Sequence, residues 1–452
     1  MKSQPNKGMF ARFLHSQSSS AIVLILATLT AVVWANSPWS HLYHALSHLD
    51  IGTHFAGKQY HLSLDHWVKD GLMAVFFFVV GLEIKREILI GELSSIRKAA
   101  LPVMAAVGGA IFPALFYFLF NQSGPAANGW AVPMATDIAF ALGLLALFGK
   151  RVPIGLKVFL TALAIVDDLL AVLVIAVFYT EQISILALII AATLLVMLAY
   201  FIRSGVRLYS LHLALILGIW VCVFLSGIHA TIAGVLIAMT IPVRGRIKPE
   251  EFLEMVKEPA RLLRESRMTK DSIVKEKWQR KTLEKIYLSI ENVMPIGLYL
   301  EDHLHSIQAF LILPLFALFA AGVTIDSATL AAFPSSVSFG IISGLILGKQ
   351  VGIFGFSYLV IKTNLADMPA GVSWTQLWGV SLLSGIGFTM SIFISELGFS
   401  DEAMLADAKI AIFIASILAA AFGYVVLNKV LPVRLANTAA TSSRKGHGLK
   451  SR

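Results

Sequence analysis

Apolar stretches of roughly 17–25 residues recur along this chain, separated by short polar connections, near 18–36, 66–86, 99–120, 130–148, 154–179, 183–203, 208–224, 227–242, 305–323, 337–361, 376–397 and 405–428. As a helix rising about 1.5 Å per residue, such a stretch crosses a hydrocarbon core of about 30 Å. The pattern predicts an all-α polytopic membrane protein with about twelve transmembrane helices. A soluble all-α enzyme would need an improbable number of helices that are apolar on every side.

Composition agrees: 57% of the 452 residues are hydrophobic and 14% are charged, where soluble domains carry about 25% charged residues. The formal net charge of +9 would suggest nucleic acid in a soluble protein. Here the basic residues alternate from side to side. Lys2, Lys7 and Arg12 precede the first span; Lys85, Arg86, Arg97 and Lys98 follow the second; Lys150 and Arg151 follow the fourth; Arg203 and Arg207 follow the sixth. The connection NQSGPAANG, on the other face, has no charge, and only Lys58 and Lys409 lie near that side. The positive-inside rule then places both termini in the cytoplasm, and topology accounts for the excess charge without nucleic acid.

The chain divides into an N-terminal tail (1–17), eight spans (18–242), a charged cytoplasmic loop (243–304), four spans (305–428) and a basic tail (429–452). Between Arg244 and Glu291 the loop holds thirteen Lys/Arg and nine Asp/Glu, a pattern for one or two amphipathic helices. The basic start, the apolar stretch 21–33 and Val33-Trp34-Ala35 also resemble a cleaved signal peptide; the even number of spans favours an uncleaved first span. DIGTHFAGKQYHLSL alternates weakly around Ala56-Gly57-Lys58, which predicts a short outer hairpin or an irregular loop. The single cysteine, Cys222, excludes an intrachain disulfide and reads as a small core residue.

Charges inside the apolar runs carry the chemistry. ALAIVDDLLAV places Asp167 and Asp168 near the middle of the fifth span. An aspartate there costs about 2.5–3.5 kcal/mol on insertion scales, so the pair is expected to face a polar cavity. Successive residues point about 100° apart on a helix, so the two carboxylates line one cavity with different partners. Asp137 follows Thr136 in WAVPMATDIAFALG, Lys349 interrupts GLILGKQVGIFGF, and Asp70, Glu83 and Glu87 lie along the second span. One lysine neutralises one carboxylate, and the remaining negative charge calls for a proton or a cation. Low dielectric and a like-charged neighbour both disfavour the ionised form of a carboxylate, so such a pair can hold protons at moderate pH. Deprotonated, it offers hard oxygen ligands for a small hard cation. Proton and cation then compete for the same oxygens, which is the chemistry of exchange.

Two spans look interrupted, the fourth at Pro133 and Thr136-Asp137, the eleventh in LLSGIGFTMSIFI. Weak helices in corresponding places of two halves point to the binding site of an inverted-repeat transporter, with spans three to five and ten to twelve as the repeats. Glycines in membrane helices also serve close packing.

Together ATDIAFALG, ALAIVDDLLAV, SGIHATIAG, LILPLFALFAAGV, GLILGKQVG, SGIGFTMSIFI and DGLMAVFFFVVGLEIKRE, spread from about residue 65 to 395, resemble the NhaA-type bacterial sodium/proton antiporters. The resemblance implies twelve helices with two crossing discontinuous ones, and electrogenic exchange of two protons for one Na+ or Li+ in a bacterial inner membrane, serving pH homeostasis and salt tolerance. It implies that Asp168 and Asp167 bind the cation and the protons, with Asp168 a principal cation ligand and Thr136 a further contact. Lys349 and Asp137 would balance the charges of the broken helices. Glu83, Glu87 and Glu301 would serve pH activation, with His229 and His305 near that apparatus. The resemblance further implies a homodimer joined through the outer hairpin near 51–63. Na+, Li+ and protons are the expected substrates, the lipid bilayer the surroundings, and no cofactor is expected. On the residues alone, Glu83 and Glu87 beside Lys85 and Arg86 read as a salt-bridged helix end, and His229 as a hydrogen-bonded packing histidine.

The 243–304 loop is several tens of residues longer than the resemblance leads one to expect, and is predicted to be dispensable for exchange while shifting its pH dependence. Rival functions fit these residues less well, a passive channel among them, because an embedded carboxylate pair balanced by one lysine suits occlusion better than rapid conduction. An aspartyl intramembrane protease needs its two acids on different helices, and a serine type needs GxSG, where FLSGIH stands. A cation-coupled solute symporter would need a larger pocket on the same architecture.

Overall fold

The computed structural model describes residues 17–55, 58–180, 183–206, 208–266, 269–325 and 333–432. Most of both predicted tails, the hairpin tip Ala56-Gly57 and Arg207 lie outside the described residues. Each apolar stretch read from the sequence is occupied by a helix or a helical pair. In chain order these are α1 (Gln17–Ala35), a short α2 (Ser40–Ser47), strands β1 (Asp50–Phe55) and β2 (Lys58–Ser63), α3 (Leu64–Leu89) and α4 (Ile96–Phe118). A 3₁₀ segment (Pro125–Met134) leads into α5 (Ile138–Leu147), followed by α6 (Ile154–Phe178), α7 (Ile185–Ser204), α8 (Tyr209–Leu225) and α9 (Thr231–Thr240). The charged loop holds α10 (Pro249–Glu265), α11 (Lys270–Lys275) and α12 (Lys277–Val293). Then come α13 (Ile296–Ala320), α14 (Ser336–Lys362), α15 (Trp374–Leu383), α16 (Phe388–Gly398) and α17 (Glu402–Val430). Among the described residues, seven helices are long and apolar enough to cross a membrane, or up to nine if each sharply bent pair counts as one span.

The predicted hairpin is present, paired antiparallel from Asp50 opposite Ser63 to Phe55 opposite Lys58. The ninth span differs from expectation. α13 begins at Ile296, nine residues before the predicted 305, so the loop's own helices end at Val293. The first turns of α13, IGLYLEDHLH, mix charges with apolar residues, which hides them from a hydropathy reading although Pro295 opens the helix.

Polar side chains define the helix starts. Ser63 accepts from the His66 N–H, Asp401 from Met404, and Ser335 and Ser373 form reciprocal caps with Ser338 and Gln376. α7 ends where Gly205 turns left-handed at φ 78°.

Packing of α14 on α4 positions the site. A side-chain carbon at Gly108 would lie 2.3 Å from the Gly352 carbonyl oxygen, so only glycine lets these backbones meet. Along the same seam Gly344 and Gly348 rest on Pro133 and Pro113, and a π turn, Gly344–Gly348, stands just before Lys349. Close backbone contact thereby carries a lysine into the centre of the bundle. α7 and α8 pack against α3 and α9 through Leu198, Ile219, Leu82 and Ile237, and turn Ile185, Leu186, Ile189 and Val196 outward as a lipid-compatible face.

Candidate functional site

The fourth and eleventh apolar stretches are both broken, and their breaks meet. After Met134 the chain is extended at Ala135, and α5 starts only at Ile138. α15 ends at Leu383 and α16 resumes at Phe388, bent by 48°. Unwinding frees backbone groups that would be costly in hydrocarbon, and the two breaks satisfy each other. The Asp137 N–H donates to the Ile386 carbonyl at 2.7 Å. The Ser391 hydroxyl donates to the Val132 carbonyl at 2.8 Å, and Thr136 Oγ1 lies 2.9 Å from the Ser384 carbonyl.

Asp137 joins the two half-helices that begin here. Its Oδ1 accepts from the Phe140 N–H at 3.1 Å, capping α5, while Oδ2 accepts from the Thr389 N–H at 3.2 Å and from the Thr389 hydroxyl. One buried carboxylate thus sits against the positive ends of α5 and α16. Phe388, at the start of α16, has φ of 22° and packs edge-to-face on Phe140 with ring centres 4.5 Å apart. That strained residue is held by packing at the break.

α6 crosses behind the breaks and carries the aspartate pair, each residue 3% exposed. The two side chains diverge. Asp167 Oδ2 accepts from Thr136 Oγ1 at 2.6 Å and forms an ion pair with Lys349 Nζ, which is fully buried. Asp167 Oδ1 is buried without a hydrogen-bond partner among the described residues. Asp168 has no hydrogen-bond or ion-pair partner among the described residues. It lines a cavity of about 60 Å³ with Asp137, Thr389, His305 and Gln308. That is room for a few waters, since one needs about 10–15 Å³ of such space. Among the described residues no group of three or more His, Cys, Asp or Glu forms a metal cluster. The oxygens available to a small cation are those of Asp168 and its cavity neighbours.

The acids of α3 and α13 form a second group. Arg86 bridges Glu87 at 3.0 Å and Glu301 at 2.9 Å, and Glu87 Oε2 also accepts from the Glu92 N–H. Glu83 lies within electrostatic range of both Asp168 and Glu301. His305, one turn beyond Glu301, opens onto the Asp168 cavity. His229 does not join them: it sits in the turn before α9 and lines a separate cavity of about 510 Å³ with Asp65, Lys69, Asp70 and Glu396.

That cavity holds a charge network absent from the sequence reading. Lys69 pairs with Asp65 at 2.7 Å and Glu396 at 2.6 Å, and Lys409 pairs with the same Glu396 oxygen at 3.0 Å. The i, i+4 spacing of Asp65 and Lys69 was visible, but Glu396 and Lys409 join them only through the fold. A further buried acid, Asp407, accepts from Ser335 and Ser338 and braces the start of α14 on α17.

Comparison with known proteins adds independent weight. The Na+/H+ antiporter 1 family profile matches residues 11–427. The Na(+)/H(+) antiporter NhaA of Acidithiobacillus ferrooxidans is 47% identical over 429 residues, 93% of this chain and 97% of its own. The Na(+)/H(+) antiporter NhaA 1 of Clostridium beijerinckii is 45% identical over 421 residues, 92% of this chain and 94% of its own. With buried acids between two broken helices and a family match over nearly its whole length, the chain belongs to the Na+/H+ antiporter 1 family.

Proposed function

We propose that the protein is a secondary antiporter that moves Na+, or Li+, out of the cytoplasm in exchange for external protons. The observation that carries this reading is the asymmetry of the aspartate pair. Asp167 is neutralised by Lys349, while Asp168 faces a cavity with room for a few waters and has no ion-pair partner among the described residues. A carboxylate so placed takes up a proton or an alkali cation, and the two exclude each other because a hard cation binds the deprotonated oxygens. The loaded carrier reorients; the empty one, with an uncompensated charge in low dielectric, does not.

In this reading Asp168 is the principal cation ligand, and Thr136, bonded to Asp167, is a further contact. Asp167 takes the second proton when its ion pair with Lys349 opens, giving two protons per Na+ and net charge movement. Asp137 and Lys349 balance the broken helices. Glu83, Glu87, Glu301 and His305 lie between the cytoplasmic end and the Asp168 cavity, where their charges set the pH range of activity. His229 acts on the outer side instead. A cavity of about 60 Å³ at Asp168 suits waters or an alkali ion, whereas pockets for organic solutes measure about 300–1,000 Å³.

The alternation of basic connections supports twelve spans with both termini and the charged loop in the cytoplasm of a bacterial inner membrane. On that assignment β1–β2 is external. A two-stranded sheet leaves both outer edges open to pairing with a second copy, which supports a homodimer joined there. The paired breaks of the fourth and eleventh stretches support two inverted repeats.

The test uses everted membrane vesicles holding an acid-inside gradient. Added Na+ or Li+ should dissipate the gradient for the intact protein and leave it unchanged for Asp168→Asn. A gradient insensitive to both cations from pH 6.5 to 9 would overturn the reading.

A further inference from the structure

The inner cavity at Asp168 and the wide outer cavity are divided by one helical seam. Thr389, Phe393 and Glu396 stand at i, i+4 and i+7 of α16 and so share a face. Thr389 lines the inner cavity; Phe393 and Glu396 line the outer one. Across the seam α3 has the same order, with Phe76 on the inner cavity and Lys69 and Asp70 on the outer. Between them Phe393 packs on Phe77 of α3 and Phe316 of α13, with ring centres 5.9 and 6.1 Å apart. The barrier is thus an aromatic plug on the inner side of one ion pair, Lys69–Glu396.

We infer that the Lys69–Glu396 ion pair is the latch of this barrier: it holds α16 on α3, keeps Phe393 on Phe77, and must part before Asp168 communicates with the outer cavity. This rests on the exchange reading above. Parting a buried ion pair ordinarily strands two charges in low dielectric. Here each partner has a second one on its own side of the seam. Lys69 keeps Asp65 on α3, and Glu396 keeps Lys409, which belongs to α17. Opening therefore exchanges a four-membered chain for two separate ion pairs and leaves no charge alone. Because α16 also bears Thr389 against Asp137, movement at Glu396 is transmitted to the cation site.

The test is thiol labelling of Met390→Cys, an inner-cavity position, in a Cys222→Ala background. A membrane-impermeant maleimide is applied to right-side-out vesicles for the outer face and to everted vesicles for the inner. Glu396→Gln and Lys69→Gln should each speed outer labelling about fivefold or more, in the range of ordinary coupling energies, and the double variant should add nothing. Lys409→Gln should slow it, because opening would then strand Glu396. Inner-face labelling should stay at its starting rate, which reports an intact fold; should Glu396→Gln fail to insert, Glu396→Asp shortens the latch and reads the same. Unchanged outer labelling in the Glu396 and Lys69 variants, additive effects in the double variant, or faster labelling in Lys409→Gln would overturn the latch. Asp168→Asn, which removes exchange, should leave outer labelling unaccelerated, so failure of the exchange reading and failure of the latch are seen separately.

Discussion

Lys349 Nζ is bonded to Asp167 Oδ2 with both side chains sealed from solvent, while Asp168, the next residue, lines a cavity with no hydrogen-bond or ion-pair partner among the described residues. Two adjacent acids thereby meet opposite electrostatic conditions. A single turn of α6 thus holds one buried ion pair and one carboxyl that lines a cavity.

Asp168→Asn is expected to lower Na+ affinity by more than about tenfold, since loss of an essential oxygen ligand exceeds the usual effect of changing an outer-shell partner. Removing an unpaired buried carboxylate should also leave thermal stability unchanged or raised. Na+ titration of the purified protein and its melting temperature check both directions. A variant that lost binding because it lost its fold would show a lowered melting temperature.

Lys349→Ala leaves Asp167 without its cation, and breaking a buried pair from one side costs about 3–5 kcal/mol. The melting temperature should fall, and Lys349→Ala combined with Asp167→Asn should recover much of the loss. A double variant no better than the sum of its parts would show that the two side chains do not depend on each other.

Asp137→Ala removes the cap shared by α5 and α16, with about 0.5–2 kcal/mol expected for each helix start. The loss loosens the crossing against which Asp168 is set, so the Na+ KM should rise together with a fall in stability. Asp137→Asn retains acceptor oxygen for one helix start and should fall between wild type and Asp137→Ala in both measurements.

The charged loop closes on itself at its base, where the Arg246 N–H donates to the Asn292 carbonyl at 2.7 Å. Replacing 248–290 with a short Gly/Ser linker should therefore keep insertion and exchange. Because α12 leads through Pro295 into α13, which carries Glu301 and His305, the replacement is expected to move the pH at which exchange is half-maximal. Normal insertion with no exchange would show that the insert is part of the transport machinery.

Much of this site was legible in the chain because each element breaks a pattern. Asp167, Asp168, Asp137 and Lys349 are charges inside apolar runs, and a hydrocarbon environment leaves few explanations for them. The breaks announced themselves through Pro133 and through the Ser/Gly/Thr content of LLSGIGFTMSIFI. Less legible were features made by the fold alone. Glu396 and Lys409 are single charges near helix ends, and nothing local links them to Lys69, more than three hundred residues earlier. The resemblance groups His229 with His305, yet the turn before α9 places it on the separate cavity lined by Lys69 and Glu396. The start of α13 was missed because its first turns are amphipathic rather than apolar.

Proton release on Na+ binding is the most direct measurement of the central claim. Calorimetric titration of the purified protein in two buffers of different ionisation enthalpy, at one pH, counts the protons displaced per Na+ bound. Competition at the aspartate pair predicts a release that grows as pH is lowered, with apparent Na+ affinity weakening in step, and no release from Asp168→Asn. Tight Na+ binding with no buffer-dependent heat, unchanged by Asp168→Asn, would contradict it.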